Sequence, residues 1–398
     1  MQKLYILILI FIGFIGLPVS ATIINIPDDY ETIQEGIDIS SDGDTVLVAP
    51  GVYYENVQMA EGVSLFGSGM ENTIIDGGGL NDVIKALDID DFVIEGFTIR
   101  NSNQGGSSPG NIGIFMNPIS SYGTKIVRNC YIHDNGHGID IWNDFGGILY
   151  VEYNIISDNI YDGFDPYLGT TYLTNNTIIG NGRDGYHDWA GGGSVYIKNN
   201  IFAENGRYGI FKHRDTPVFI SYNDVWNNVL GDYYQGYSGQ PTPFTPYPGS
   251  GEISEDPLFS DRGNGDFHLL PDSPCIDAGD PDSPFDPDGT RADMGTFYFD
   301  QSTGIDEEYL LPGGFIVQNY PNPFNASTVI GYSLPNPANV TVDIYDILGR
   351  RIETLVQGEQ RAGYHQVVWD AEDNSSGMYF YRIQAGEYVE TRKMVLLK

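Results

Sequence analysis

Only two cysteines occur in 398 residues. Cys130 and Cys275 lie far apart, and neither belongs to a Cys-x-x-Cys pair, which excludes a paired-thiolate zinc site and a dithiol redox motif. Both are expected to pack as small apolar side chains rather than to bridge. Basic residues are also scarce: 19 Lys and Arg stand against 54 Asp and Glu, a formal charge of −35. A surface of that sign repels phosphate backbones, so nucleic acid is excluded as a partner. It suits an extracellular protein kept soluble by its charge, or one that gathers divalent cations on carboxylates. Charged residues of both signs make up only 18% of the chain, whereas glycine numbers 50 and tyrosine 28, as expected for a turn-rich all-β protein. The apolar run Leu4–Leu17 follows Lys3 and precedes Val19-Ser-Ala21, the layout of a signal peptide. It is short for a membrane span. Residues 1–21 are therefore expected to be removed on export, leaving no transmembrane helix.

What the chain has instead is repetition. Between Lys125 and Gln235 one pattern occurs five times: Val127-Arg-Asn-Cys-Tyr-Ile132, Val151-Glu-Tyr-Asn-Ile-Ile156, Leu173-Thr-Asn-Asn-Thr-Ile178, Ile197-Lys-Asn-Asn-Ile-Phe202 and Ile220-Ser-Tyr-Asn-Asp-Val225. The last residues of successive copies are 22–24 positions apart. Three residues after each comes an asparagine (135, 159, 181, 205, 228), and then a glycine (138, 163, 185, 209, 231) opens a further strand. A fixed period of this length marks a solenoid, in which each coil buries its apolar residues by stacking on its neighbours. The alternation is period two, so the coils are built of strands. Asparagine at the corners is expected to adopt the left-handed conformation and to stack its amide on the next. The repeats resemble the right-handed parallel β-helix of the pectin-lyase-like superfamily. The opening words Tyr30-Glu-Thr-Ile-Gln34, Gly43-Asp-Thr-Val46 and Pro50-Gly-Val-Tyr53 resemble the start of bacterial β-helices of that kind.

The domain layout follows from these words: a signal peptide at 1–21, a β-helix at 22–300, a linker at 301–314 and a separate unit at 315–398. Asp28 or Asp29 is expected to cap a short helix carrying Ile33 and Ile37, which would plug the open end of the core. Residues 101–111 read as a loop and residues 233–251, rich in Gly, Pro and Tyr, as a long excursion. The closing stretch, Asp256–Gly295, is expected to seal the far end. In the last unit, short alternating strands predict a small Ig-like β-sandwich. Its words Asn319-Tyr-Pro-Asn-Pro-Phe-Asn325, Tyr345-Asp-Ile-Leu-Gly-Arg350, Ser376-Gly-Met-Tyr-Phe-Tyr-Arg382 and Lys393-Met-Val-Leu-Leu-Lys398 resemble the type A C-terminal sorting domain of type IX secretion in Bacteroidetes and related bacteria. The resemblance implies the type IX machinery as a partner. It also implies crossing of the outer membrane, removal of this domain and a place on or outside the surface of a Gram-negative cell.

Strand parity proposes where chemistry would sit. In the strands after the corner glycines, Ile114, Ile139, Phe164, Tyr186 and Ile210 should point inward. Asp140, Asp165 and His187 should then point outward between Phe115 and Phe211, with Asn117, Trp142, Tyr167, Trp189 and His213 as the next outward column. Coils repeat at about 4.8 Å, so the carboxylates and imidazole would line up beside a row of rings. Aromatic faces pack on sugar C–H surfaces, and carboxylates bind hydroxyls. The resemblance places the enzyme groove of pectin-lyase-like proteins over this strand too. Catalytic candidates are Asp140, Asp165, His187 and Lys212; ligand-binding candidates are Trp142, Tyr167, Trp189 and His213. Arg183, Arg207 and Arg214 are the nearby cations that could neutralise a substrate carboxylate. The alternative is that the columns are solvated side-chain ladders. Gly136-His-Gly138 matches one word of the polygalacturonases, but that family's companion words are absent, as is the calcium pattern of pectate lyases. A second acidic group, Asp277, Asp280, Asp286, Asp288 and Asp293, has the ligand chemistry for Ca²⁺, or for hydrogen-bonded Asp turns. The expectation is thus a monomeric, exported β-helix that binds an extracellular polysaccharide, with or without cleaving it as a lyase or hydrolase. The rivals are a non-enzymatic surface scaffold and an epimerase-type enzyme.

Overall fold

The computed structural model describes residues 21–301 and 317–396, except 104, 106–109, 119–121, 143–146, 168, 189–192, 214–215, 238–239, 243–248, 321–323, 325–326, 335–336, 348, 362, 372–373, 376 and 387. Residues 1–20 of the expected signal peptide and all of the expected linker but residue 301 lie outside them. The N-terminal unit winds through three parallel sheets of nine, nine and eight strands, a right-handed solenoid of about eight turns. The first sheet runs from Ile23–Ile26 to Val218–Ser221, the second from Gly51–Tyr53 to Asp224–Trp226. The third runs from Val57–Gln58 to Gly231–Tyr237, with antiparallel Gln240–Thr242 added at its end. The repeat therefore continues past Val225, into residues expected to leave the helix, before the chain turns back.

In-register pairing stacks apolar residues on apolar residues. Val127, Val151, Leu173, Ile197 and Ile220 form one inner column. Ile132, Ile156, Ile178, Phe202 and Val225 form the second. Ile114, Ile139, Phe164, Tyr186 and Ile210 form the third, as parity requires. All are buried in one continuous core, each contributing roughly 1.5–3 kcal/mol relative to exposure.

Two buried asparagine ladders shape the corners. Between the second and third sheets, the backbone N–H groups of Asn135, Asn159, Asn181 and Asn205 each donate to the side-chain oxygen of the asparagine one coil on, at 3.0–3.2 Å. Between the first and second, Asn154, Asn176 and Asn200 do the same at 2.9 Å, and Asn223 donates to Glu252. Cys130 heads this second ladder, its N–H donating to Asn154. The stacked asparagines are not the left-handed residues. That conformation falls one position earlier, at Asn129, Tyr153, Asn175, Asn199 and Tyr222 and at Asp134, Asp158, Glu204 and Asn227. The ladder amide must point into the corner, so the reversal happens before it. The glycine after each amide is dictated by the same corner: a Cβ on Gly138 would lie 2.4 Å from the Gly163 carbonyl and 2.6 Å from Ile156.

The N-terminal end is plugged by a helix, Ile33–Ile39, which buries Ile33 and Ile37. Its cap is Thr32, in a capping box with Glu35; Asp29 instead accepts the Asn25 N–H. The closing stretch corrects a second expectation. It does not seal the far end but runs back along the outer face of the second sheet. There Phe267, Leu269, Cys275 and Met294 form a second core with Ile155, Ile179, Ile201 and Ala203. Thr296 donates to the Asn154 carbonyl, Asn175 to the Asp293 carbonyl, and Arg262 pairs with Asp158. On this face of the second sheet Ile155 and Ile201 flank Thr177 in one column and Ile179 stacks on Ala203 in the next, and the strap covers them.

The C-terminal unit is all-β and antiparallel. A four-stranded sheet of Arg351–Gln360, Ala338–Asp346, Gly377–Ala385 and Tyr388–Leu396 joins a three-stranded sheet of Val317–Tyr320, Ser327–Leu334 and Gly363–Asp370. Both contribute to one core that includes Tyr332, Ile344, Trp369 and Met394, which is the sandwich expected.

Asn181 is the middle of a ladder. Asn181→Ala removes the acceptor of the Asn159 N–H and the donor to the Ile156 carbonyl. Leaving such buried groups unpaired should cost about 1–3 kcal/mol for each, read as a lower urea midpoint with an unchanged far-UV spectrum.

Candidate functional site

The outward column of the third sheet is in the expected order, with Phe115, Asp140 and Asp165 in register and His187 beside Phe211. It is not an open floor. Asp140, Asp165 and His187 are only 4, 5 and 3% exposed, because rings lie over and between them. The Trp142 indole N–H donates to Asp140 at 3.2 Å, and the Trp142 ring packs edge-on against Phe115. His187 stacks flat on Phe211 at 4.3 Å, and Phe211 on Tyr234 at 4.9 Å. In the next column, Trp142, Tyr167 and His213 are half-buried; Trp189 and Arg214 lie outside the described residues. Lys212 does not join the outward set. It shares the inward parity of Ile210 and is buried, and that burial lowers its pKa against the opposing charge of Asp188.

A further column completes the site: the residues just before the corner glycines. Ile112 pairs with His137, and the same register carries on to Asp162, Asp184 and Tyr208. The glycine bend turns this column towards Asp165 and His187. His187 Nδ1 lies 2.6 Å from Asp184 Oδ2 and 3.8 Å from Asp162 Oδ1. Asp162 Oδ1 accepts the Asp184 N–H, and Asp184 Oδ1 accepts the Tyr208 N–H. Because a carboxylate only accepts, the His187–Asp184 contact puts the proton on Nδ1 and makes Nε2 the basic nitrogen of the neutral ring. His137 Nδ1 and Asp162 Oδ2 face each other at 3.7 Å, and neither has a hydrogen-bond partner. Burial, with the charges of Arg183 and His187, pushes His137 down to about 4. Burial also raises Asp162 above the ordinary carboxylate value, against the pull of His187. Sequence parity counted from the glycines overlooks this column. The available signal was the residue type before each glycine, which is His, Asp and Asp in three successive coils.

Cations flank the cluster. Arg183 and Arg207 sit in successive coils, the Arg207 N–H donating to the Arg183 carbonyl. Arg183 lies over the Tyr161 ring at 4.5 Å, and Tyr161 packs on His137. Arg207 reaches Asp184 at 3.4 Å and lies near the Tyr208 and Phe211 rings. Both arginines are half-buried.

The second acidic group, in the strap, is wired to backbone. Asp293 accepts the N–H groups of Asp277 and Phe299, and Asp286 accepts that of Asp293. Asp288 accepts from Thr290 and Gln301, and Asp280 pairs with Lys198 at 3.1 Å. Asp277 Oδ2 accepts from the Gln301 side chain. Among the described residues, the sets of three His, Cys, Asp or Glu whose donor atoms all lie within 4.8 Å are His137–Asp162–Asp165 and Asp162–Asp184–His187. The strap carboxylates are not among them.

Residues 87–242 match the family described as the right-handed β-helix region, and residues 318–397 match the secretion system C-terminal sorting domain. No curated protein matches the chain. One solved structure that matches is PorZ, a surface component of the type IX secretion system of Porphyromonas gingivalis. The identity is 22% with a TM-score of 0.16, over 21% of this chain and 11% of that one. The sorting domain directs export by type IX secretion to the cell surface or the extracellular space. No helix among the described residues is long and apolar enough to cross a membrane.

Two outcomes are expected. Burial first, then the charge of Asp293, raises Asp286 to about 7, and burial, with the charges of Asp277 and Asp288, raises Asp293 to about 6. A carboxyl raised in the folded state binds a proton there that the unfolded chain has already lost. Its stabilising effect is full below about pH 4 and disappears as pH rises through 6–7. The melting temperature should therefore fall between about pH 4 and 7, and Asp286→Asn should flatten the fall. Deleting 315–398 should leave the β-helix in the periplasm of a host with type IX secretion, assayed by fractionation, whereas the full chain reaches the exterior.

Proposed function

On the premise of a β-helix exported through a type IX sorting tail, we propose that its third sheet binds an anionic, uronate-bearing polysaccharide and moves a proton on it. The observation that carries this reading is the placement of Arg183 and Arg207 in successive coils, Arg207 at 3.4 Å from Asp184 of the His187–Asp184 pair and Arg183 over the Tyr161 ring that packs on His137, in a chain of net charge −35. Two arginines in successive coils of so acidic a chain favour a carboxylate ligand, which a guanidinium can meet in forked geometry. A carboxylate so neutralised acidifies the hydrogen on the carbon next to it. His187, its Nδ1 proton held by Asp184, has Nε2 as the base for that hydrogen. The electron pair left behind spreads onto the arginine-bound carboxylate. From there the β C–O bond breaks and its oxygen takes a proton from solvent, giving an unsaturated sugar and a free chain end, or solvent delivers a proton to the opposite face and inverts the carbon. The half-buried rings of Trp142, Tyr167 and Tyr234 would flank neighbouring sugar units.

The near-complete burial of Asp140, Asp165 and His187 favours a second reading, a non-catalytic surface protein in which these groups only hold the coils in register. The two separate experimentally. Uronate polymers should give absorbance at 235 nm on elimination, or solvent deuterium at the inverted carbon on epimerisation. His187→Gln should cut that rate by roughly 10²–10⁴-fold with little change in binding. Arg183→Ala and Arg207→Ala should each weaken uronate binding by about 1.5–3 kcal/mol, and neutral glycans much less. Binding with no turnover in the parent would select the scaffold reading, and no preference for uronates over neutral glycans would remove the proposal.

A further inference from the structure

Beside the His187–Asp184 pair the same corner holds a second arrangement, with different physics. His137 Nδ1 and Asp162 Oδ2 are both shut off from solvent, both lack a hydrogen-bond partner, and point at each other across 3.7 Å. That is too long for a hydrogen bond, which needs about 2.7–3.2 Å. It is close to the edge of a coordination polyhedron: bonds of about 2.0–2.1 Å to a tetrahedral ion put neighbouring donors roughly 3.3 Å apart. Asp162 is 1% exposed, and a buried carboxylate oxygen left unpaired is costly. Asp165, three residues after Asp162 in the same coil, completes a set of three whose donor atoms lie within 4.8 Å of one another. Asp162 Oδ1 is already engaged by the Asp184 N–H, which fixes the carboxylate so that Oδ2 is the atom presented to His137. Such second contacts are what orient metal ligands.

We infer that His137, Asp162 and Asp165 form a binding site for one divalent transition-type cation, Zn²⁺ or Mn²⁺, between two coils of the third sheet. One imidazole nitrogen with two carboxylates is a mixed N/O donor set, which suits these ions better than the all-oxygen shell that Ca²⁺ prefers. A bound ion would also offset the repulsion between Asp162 and its acidic neighbours Asp165 and Asp184. The two sets that share Asp162 are not equivalent. In Asp162–Asp184–His187 the imidazole is taken up by Asp184 at 2.6 Å, whereas in His137–Asp162–Asp165 two atoms face an unfilled contact. The site is independent of any sugar, so its test needs none.

The full chain, stripped with chelator, is titrated with Zn²⁺, Mn²⁺ and Ca²⁺ separately by calorimetry, and metal content after dialysis is counted by mass spectrometry. The expected result is one equivalent of Zn²⁺ or Mn²⁺ bound more tightly than Ca²⁺. Asp162→Asn and His137→Gln should each weaken binding by about tenfold or more, and EDTA should lower the melting temperature of the parent. Co²⁺ should give visible d–d absorption in the parent that His137→Gln removes, a readout of nitrogen ligation that works even if one variant folds poorly. Absence of a stoichiometric site would overturn the inference. So would equal binding by both variants, a preference for Ca²⁺, or a Co²⁺ spectrum indifferent to His137. Asp286→Asn serves as the control and should leave Zn²⁺ affinity unchanged.

Discussion

Parallel strands in register oblige each side chain to lie on its counterpart one coil away, at about 4.8 Å. The solenoid therefore depends on whether a residue tolerates its counterpart in the coils above and below. Apolar residues do, and their columns make the core. Amides do better, because one group offers both donor and acceptor: each ladder asparagine meets the next through its oxygen and still has its –NH₂ for a carbonyl. Tyr150, Tyr172, Tyr196 and Phe219 satisfy the rule as a row of rings 4.8–5.1 Å apart. Carboxylates do not, since like charges at that spacing repel. Asp140 on Asp165 and Asp162 on Asp184 are therefore frustrated places in the solenoid, and buried ones. A chain that keeps such pairs, and surrounds them with His137, His187, Arg183 and Arg207, concentrates its chemistry there.

Much of this was legible in the sequence. The period of 22–24 residues, the inner columns and the first asparagine ladder follow from counting, because a solenoid repeats one local solution. The C-terminal sandwich was legible for a different reason: strands such as Ala338–Asp346 alternate cleanly, with Val340, Val342 and Ile344 inward. The outward column Asp140–Asp165–His187 came from parity, and parity holds along a straight strand. It failed at the corner, where Gly138 and Ile139 both turn inward and bring the preceding residue round beside the column. His137, Asp162 and Asp184 were invisible for that reason. Burial was equally hidden, since it depends on rings from other coils. The position of the closing stretch was hidden too, because nothing local says that a segment turns back along the flank.

The two cysteines fit the same logic. Cys130 occupies the head of an asparagine ladder, where only an N–H has to be donated onward. Cys275 sits in the strap core with its thiol on Asp224. Both are buried and free, and burial pushes the Cys130 thiol up to about 12, far from the thiolate that forms disulfides. Among the described residues, cohesion in this exported chain comes from ladders and packing, with no covalent bridge.

The strap changes what kind of object the solenoid is. Coils that touch only their neighbours behave like beads on a line, free to fray from an end or to wind one at a time. The strap joins Thr296 to Asn154 across 142 residues and touches coils from Tyr131 to Asp224. It has nowhere to dock until all of them are wound, and none of them can loosen without shedding it. A structure whose contacts are otherwise nearest-neighbour thereby acquires an all-or-none middle. In a protein exported to the cell surface or beyond, this latch ties the loosening of any one strapped coil to the release of the strap from all of them.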